Sequence, residues 1–571
     1  MTEHPSSLPL FDEPRATRWT RTARRRSGDM RRRVAITMVA FGMAYAVIAG
    51  RLVILGMADT GPSRARMTAE DVISSARPDL VDRNGQILAT DIRTASLYAE
   101  PRKIIDPDEA VELLGSVLPE LGTSETRKRL ASNAGFVWLK REITSEQKYA
   151  IHRLGIPGIG FLTENRRFYP GGPTASHIVG HVNIDNQGIA GMEKYVDGQG
   201  LAELQEFGFA RKESALAPVK LSLDLRVQHA VRDELQRSIE HYSAIAGIGI
   251  VLDVHTGEVL AMSSLPDYDP NEPAQALEKN RMNRATAGVY EMGSVFKTFN
   301  TAMALDSGQF SLKSTVDASR PLKAGGRMIR DFHGKYRVLT LPEVFIYSSN
   351  IGSAKMALQI GEAGQEEFLR RLGLMTRLKT DLPEVARPLL PARWSEVTSM
   401  TVAFGHGISV SPMQTAVAAA ALMNGGKYIP PTFLTRTRAE ADELALRIVK
   451  PSTSEVMRYL FRLNVEKGSG RRAEVPGYFV GGKTGTAEKV ENGRYVGSKR
   501  FNSFLSAFPM DDPRYVVLVV LDEPKAPPEG GGVTAGSNSA PTVASIIRRI
   551  APMLGVVPRY NEDSTMLLVS N

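Results

Sequence analysis

Along residues 34 to 58 the apolar positions follow one another almost without a break: Val34 to Gly50 carries no charge, and after Arg51 a second apolar stretch runs from Leu52 to Ala58. This is neither the alternation of a half-buried strand nor the narrow stripe of an amphipathic helix, so the segment reads as a helix that is apolar all round. Its 25 residues exceed the roughly 20 that a hydrocarbon core of about 30 Å requires, and Arg51 lies where its stem can snorkel. From 59 to about 215 the pattern changes to short runs broken by turns. Leu80 to Leu88 folds around the Arg83-Asn84-Gly85 turn, and Ala95 to Tyr98 and Gly158 to Phe161 read as further strands. Glu109 to Leu121 places Val111, Leu113, Leu114 and Leu118 at near-helical spacing, which predicts one helix in an otherwise β-rich domain.

At about residue 216 the pattern becomes regular. Val219 to Leu223 alternates as a strand, and Asp224 caps a helix whose Val227, Val231, Leu235 and Ile239 form one face. Gly247 to Val254 and Glu258 to Ser263 pair across the His255-Thr256-Gly257 turn. Later, Tyr478 to Thr486, Asn502 to Phe508 and Tyr515 to Leu521 read as three strands whose short connections require antiparallel pairing. A helix over Thr542 to Leu554, with Val543, Ile546, Ile547 and Ile550 on one side, covers that sheet. The predicted class is α+β, with an antiparallel sheet covered by helices.

Composition narrows the chemistry. The 571 residues are enough for several domains, and 42% hydrophobic with 23% charged residues is globular composition. There is no cysteine, which excludes disulfides, thiol nucleophiles and thiolate metal sites. Of the net charge of +9, residues 1 to 33 carry +5, from nine arginines against Glu3, Asp12, Glu13 and Asp29. A basic block before one apolar span is a topology signal that keeps residues 1 to 33 in the cytoplasm and exports everything after about Ala58; it also argues against nucleic acid. Ala44-Tyr45-Ala46 offers the alternative of a cleaved signal peptide, and the bulk of the chain is exported on either reading.

Gly293-Ser294-Val295-Phe296-Lys297 opens an unbroken helical segment, which puts Ser294 at a helix start and Lys297 on the same face, three residues on. A serine hydroxyl needs a base, and a lysine kept from water is neutral enough to serve. The same spacing recurs at Ser145 and Lys148, so the pair alone is a weak signal. Two further elements strengthen it. Ser348-Ser349-Asn350 supplies a second hydroxyl and an amide suited to a peptide backbone. Lys483-Thr484-Gly485-Thr486, on a predicted strand, supplies an ammonium and two hydroxyls for a carboxylate, with Gly485 allowing close approach of a substrate backbone. His177 and His181 stand four apart but have no third ligand at a usual zinc spacing, so both read as structural, and no metal site is expected.

The ordered set SxxK, SxN and KTG resembles the penicillin-binding serine D,D-transpeptidases. Tyr290-Glu291-Met292-Gly293-Ser294 is similar to that family's opening, with Met292 in place of its usual proline. Asp82-Arg83-Asn84-Gly85, Arg167-Phe168-Tyr169-Pro170 and Gly188-Ile189-Ala190-Gly191-Met192-Glu193 resemble the pedestal motifs of class B members, and Gly405 to Gln414 is similar to another shared segment. The resemblance implies Ser294 as acyl-ester nucleophile, Lys297 as its base and Ser348 as a proton relay to departing D-alanine. It further implies Asn350 holding the donor amide, Lys483, Thr484 and Thr486 recognising the terminal carboxylate beside Gly485, and an oxyanion hole from the Ser294 and Thr486 N–H groups. No cofactor is implied. Substrates would be peptidoglycan stem peptides ending in D-alanyl-D-alanine, with β-lactams as inhibitors.

Ser348-Ser349-Asn350-Ile351-Gly352 resembles the division-specific, FtsI-type branch, whereas the elongation branch tends to have aspartate at the position of Asn350. That branch implies a polytopic septal glycosyltransferase (FtsW-type) and other divisome membrane proteins as partners. The expected organisation is a cytoplasmic tail (1–33), a membrane helix (34–58), a periplasmic pedestal of dimerisation type (59–215), a transpeptidase domain (216–556) and a short tail (557–571). The localisation would be the inner membrane, single-pass. Rival readings are an elongation-specific enzyme, a D,D-carboxypeptidase or β-lactamase-type hydrolase, and a noncatalytic penicillin sensor or scaffold.

Overall fold

The computed structural model describes residues 35–50, 77–201, 217–491, 494–560 and 567. Helix α1 (35–50) is described by itself, with apolar side chains such as Met38, Phe41 and Val47 exposed. Among the described residues no helix is long and apolar enough to cross a membrane. Residues 51–58 of the expected span, the arginine-rich residues 1–33 and most of the 557–571 tail lie outside the described residues.

In the pedestal, β1 (Leu80–Val81) turns at Arg83-Asn84-Gly85 into the long β2 (Ile87–Ala99). The turn is held by Asp82, whose fully buried carboxylate accepts from the N–H groups of Asn84 and Gln86 and from that of Leu225 in the following domain. Helix α2 (Pro107–Val117) starts where Asp106 accepts from Asp108 and Glu109, two residues earlier than the spacing alone predicts, and breaks at Leu118 before Pro119. Strands β3 (Val137–Ile143) and β4 (Ile159–Phe168) flank β2, and Leu97, Leu114 and Leu130 fill the small core beneath them. Helix α3 (Gly191–Val196) carries Glu193, which is wholly buried and takes Arg77 Nε at 2.9 Å and Arg167 Nε at 2.7 Å. Asp197 and Asp91 pair with the outer sides of those two guanidiniums. The motifs around Arg167 and Glu193 are thus one ion network.

The chain returns to the pedestal sheet once more. Strand β5 is short, Val219–Lys220, and lies parallel to β1, while Leu221 bridges to Leu434 instead of extending it. Asp224 then caps α4 (Leu225–His241) as expected, its side chain accepting from Arg226 N–H. The catalytic sheet is antiparallel. Strands β6 (Ala246–Asp253) and β7 (Val259–Leu265) form one edge; β8 (Gly481–Glu491), β9 (Arg494–Phe508) and β10 (Tyr515–Asp522) complete the order β8-β9-β10-β6-β7. Strand β10 is apolar at every position from Val516 to Leu521 because both faces are covered. Val516, Leu518 and Val520 join the core shared with the helical half, while Val517, Val519 and Leu521 meet α4 and α9 (Ser539–Met553).

The helical half holds α5 (Phe296–Asp306), α6 (Asn350–Ile360), α7 (Pro412–Met423) and α8 (Pro451–Lys467). Helix α7 is buried all round and begins in a capping box, where Ser411 and Gln414 each satisfy the other's backbone N–H. The β8–β9 ladder extends beyond the predicted ends, to Glu491 and back from Arg494, across a run of charged side chains. Alternation is hidden there because both faces of the hairpin tip see solvent, and Lys489 anchors it to Asp522 and Glu523.

Candidate active site

Three elements bring the predicted site residues together. The first is a 3-10 turn, Gly293–Val295, leading into α5. Gly293 has φ +55°, and a Cβ there would fall 2.9 Å from the Thr486 carbonyl oxygen, so only glycine fits between the turn and β8. Met292 has φ −83°, close to the value proline enforces, and its side chain is fully buried. Gly405 (φ +83°) closes the turn from the other side, for its Cβ would lie 2.2 Å from the Gly293 carbonyl oxygen.

The second element is the turn before α6. Ser348 has φ +56°, a region serine rarely occupies. Bonds made by the next few residues hold it there. Asp331 accepts from Ser349 Oγ at 2.7 Å and from Ile351 N–H at 3.0 Å, and Ser349 Oγ accepts from Gly352 N–H at 2.9 Å. Asn350 Nδ2 donates to the Arg330 carbonyl at 2.9 Å. Asp331 was not singled out by the sequence, since a lone aspartate 17 positions before Ser348 carries no local signal.

Strand β8 is the third. Lys483 and Thr484 are buried, and Gly485 lies where a Cβ would strike Met292 O at 2.6 Å and Ser503 Oγ at 2.5 Å. The close approach at Gly485 is thus made by the turn that carries Ser294, which packs directly on the strand. Thr486 is half-buried, and its Oγ1 accepts from Ala535 N–H at 3.2 Å.

These elements meet in one hydrogen-bonded chain. Lys297 Nζ donates to Ser294 Oγ at 3.0 Å, to the Ser348 carbonyl at 2.5 Å and to Ser348 Oγ at 3.0 Å, and Lys483 Nζ reaches Ser348 Oγ at 3.0 Å from the other side. Both lysines are buried, at 1% and 0% exposure. Burial pushes Lys297 well below the usual lysine range, helped by the charge of Lys483 and opposed by Asp331. Burial alone pushes Lys483 down to about 7. The arrangement therefore offers a hydroxyl next to an amine that sheds its proton readily, a second hydroxyl between two amines, and hydroxyls on the adjacent strand. That is the equipment of acyl transfer.

The other candidates separate cleanly. Ser145 and Lys148 lie on a pedestal helix, Ser145–Arg153, where Lys148 covers the ring of Phe161. His177 Nε2 meets the Arg281 carbonyl at 2.7 Å, His181 Nδ1 meets Tyr268 Oη at 3.2 Å, and both rings stand edge-on to Tyr268. Among the described residues no group of three or more His, Asp or Glu side chains could hold a metal ion.

Residues 247–548 match the penicillin-binding protein transpeptidase domain, and residues 72–200 match the penicillin-binding protein dimerisation domain. The chain is 40% identical over 553 residues to a probable peptidoglycan D,D-transpeptidase FtsI of Caulobacter vibrioides, covering 94% of this chain and 91% of that protein. It is 29% identical to the peptidoglycan D,D-transpeptidase FtsI of Escherichia coli K12, over 85% of both. The fold is shared with penicillin-binding protein 3 of Mycobacterium tuberculosis, crystallised with aztreonam, at a TM-score of 0.65 and 24% identity over 85% of this chain and 98% of that one. A chain with this site, these two matched domains and relatives along nearly its whole length belongs to the class B penicillin-binding protein transpeptidases.

Proposed function

We propose that the chain is a peptidoglycan D,D-transpeptidase of cell division that cross-links stem peptides of septal wall through an acyl-enzyme on Ser294. The observation that carries this reading is the unbroken chain from Ser294 through Lys297 and Ser348 to Lys483, each link 3.0 Å, around a lysine removed from water. Ser294 Oγ attacks the carbonyl of the penultimate D-alanine while Lys297 Nζ takes its proton. The N–H groups of Ser294 and Thr486 hold the oxyanion, Asn350 holds the donor amide, and Lys483, Thr484 and Thr486 hold the terminal carboxylate, while Gly485 between them lets the Ser294 turn pack on the strand. As the peptide C–N bond breaks, Ser348 passes the proton to the departing D-alanine. An amine of a neighbouring stem peptide then attacks the ester, forming the cross-link and returning the proton to Ser294.

Division into a pedestal (59–215) and a transpeptidase domain (216–556) is supported by the two family matches, which fall inside those limits. A single inner-membrane anchor over 34–58, with residues 1–33 cytoplasmic and the catalytic domain periplasmic, is supported by the arginine block and the uncharged run after it. A polytopic septal glycosyltransferase and other divisome membrane proteins are the partners this topology suits.

The test is covalent labelling of the full chain in detergent with a β-lactam, followed by intact mass over hours. A stable single adduct that is absent from Ser294→Ala supports the transpeptidase. An adduct that disappears quickly favours hydrolysis, and its absence from folded protein leaves only a scaffold.

A further inference from the structure

The carboxylate subsite contains two threonine hydroxyls, and each has a single proton to give. Thr486 is already biased: its Oγ1 accepts from Ala535 N–H, so its own proton is left for an anion. Thr484 Oγ1 has a comparable neighbour outside the strand, Ser469 Oγ, at 2.7 Å. Ser469 sits in the turn after α8, and this turn is built around Asn464. The Asn464 side chain is fully buried; its Oδ1 accepts from Ser469 N–H at 3.1 Å and from Ser469 Oγ at 3.3 Å, while its Nδ2 donates to the Gly482 carbonyl at 2.7 Å, one residue before Lys483.

Glycines shape the rest of the turn. A Cβ at Gly468 would fall 2.2 Å from Asn464 Oδ1, and one at Gly536 would fall 3.0 Å from the Ser469 carbonyl oxygen. Ser469 is therefore fixed against the strand although it is exposed, as a residue serving the core would not be.

Two proton arrangements are open to the pair. If Ser469 gives its proton to Asn464 Oδ1, Thr484 donates to Ser469, and its lone pairs face the incoming carboxylate and repel it, so the carboxylate favours turning the Ser469 proton to Thr484 while Asn464 Oδ1 keeps the Ser469 N–H. If Ser469 donates to Thr484, both threonines present protons to the carboxylate beside the Lys483 ammonium. The shorter of Ser469's two contacts is the one to Thr484. We propose that Ser469, held by Asn464, is a positioning residue for recognition of the donor's terminal carboxylate, acting through the Thr484 hydroxyl. This rests on the transpeptidase reading above.

The experiment uses the full chain in detergent and two thioester donors, N-benzoyl-D-alanyl-thioglycolate and its carboxamide, with the second-order acylation rate constant as readout. Ser469→Ala is expected to slow the carboxylate donor about tenfold, the scale of a hydrogen bond to a charged group, and to change the carboxamide less than twofold. Ser469→Thr, which keeps the hydroxyl, should restore most of the rate. In a Thr484→Ala background, Ser469→Ala should cost nothing further. An equal loss on both donors, no loss on either, or an additive loss in that background would overturn the proposal. Wild-type protein without Ser294-dependent acylation would instead overturn the transpeptidase reading, and this inference with it.

Discussion

Raising the pH should switch off recognition of a carboxylate donor before it harms the nucleophile. Lys297 Nζ and Lys483 Nζ each lie 3.0 Å from Ser348 Oγ, so they are no more than 6 Å apart. Two positive charges at ~6 Å in an effective dielectric of about 20 repel by about 3 kcal/mol, or roughly two pKa units, so having both ammoniums charged at once is disfavoured on top of their burial. Lys297 is pushed well below the usual lysine range, which suits it to accept the proton of Ser294. Lys483, pushed down to about 7, keeps the charge the carboxylate needs and loses it as the pH rises through that value. The acylation rate constant kcat/KM reports the free enzyme. For a donor ending in a carboxylate it should fall tenfold per unit above about pH 7, reaching ~1% of its plateau two units higher. The carboxamide donor lacks the partner for Lys483 and should show no such limb. Stopped-flow acylation between pH 5 and 9.5 in constant ionic strength makes the comparison. A carboxylate profile that stays flat or rises from pH 7 to 9, or an identical limb for the carboxamide, would refute the assignment of the charge to Lys483.

Three other perturbations test the framework around the site. Glu193→Gln leaves the Arg77 and Arg167 guanidiniums buried without the carboxylate they share, and should destabilise the chain by about 3–5 kcal/mol, read as a lower Tm in thermal unfolding. Gly405→Ala places a methyl group 2.2 Å from the Gly293 carbonyl oxygen at φ +83°, so β-lactam acylation should slow at least ~10-fold as the nucleophile turn shifts. Asp331→Asn keeps the shape but loses an acceptor for Ser349 or Ile351, and should slow acylation by about tenfold. Because the Asp331 carboxylate raises the Lys297 pKa, the acid limb of the same pH profile should move to lower pH in that variant.

The residues that meet at the candidate site were legible in the sequence because SxxK, SxN and KTG each carry a local meaning: three residues along a helix, a turn before a helix, alternate residues on a strand. The strands and helices with a clear period were legible for the same reason, down to the cap at Asp224. What escaped depends on contacts between distant segments. Asp331 acts on Ser349 from a separate irregular segment, Gly405 is required by the carbonyl of Gly293, and Ser469 meets Thr484 only because α8 packs beside β8. The positive φ of Ser348 could not be read either, since serine has no intrinsic preference for it and the surrounding bonds impose it. The glycine of KTG gave the right position but an incomplete reason: its missing Cβ makes room for Met292 and Ser503.

The parallel pairing of Leu80–Val81 with Val219–Lys220 joins the first strand of the pedestal to the segment that leads into the catalytic domain. A cut at residue 215 would therefore open a sheet rather than sever a tether. Glu384, which accepts from Gly191 N–H at the start of α3 and takes the Thr286 hydroxyl on its own carbonyl, adds a second rivet close to the segment that runs into the nucleophile turn. In mechanical terms, a load on the pedestal has two routes into the enzyme besides the covalent chain, the β1–β5 pairing and the Glu384 contacts, and the second ends at Thr286, seven residues upstream of Gly293.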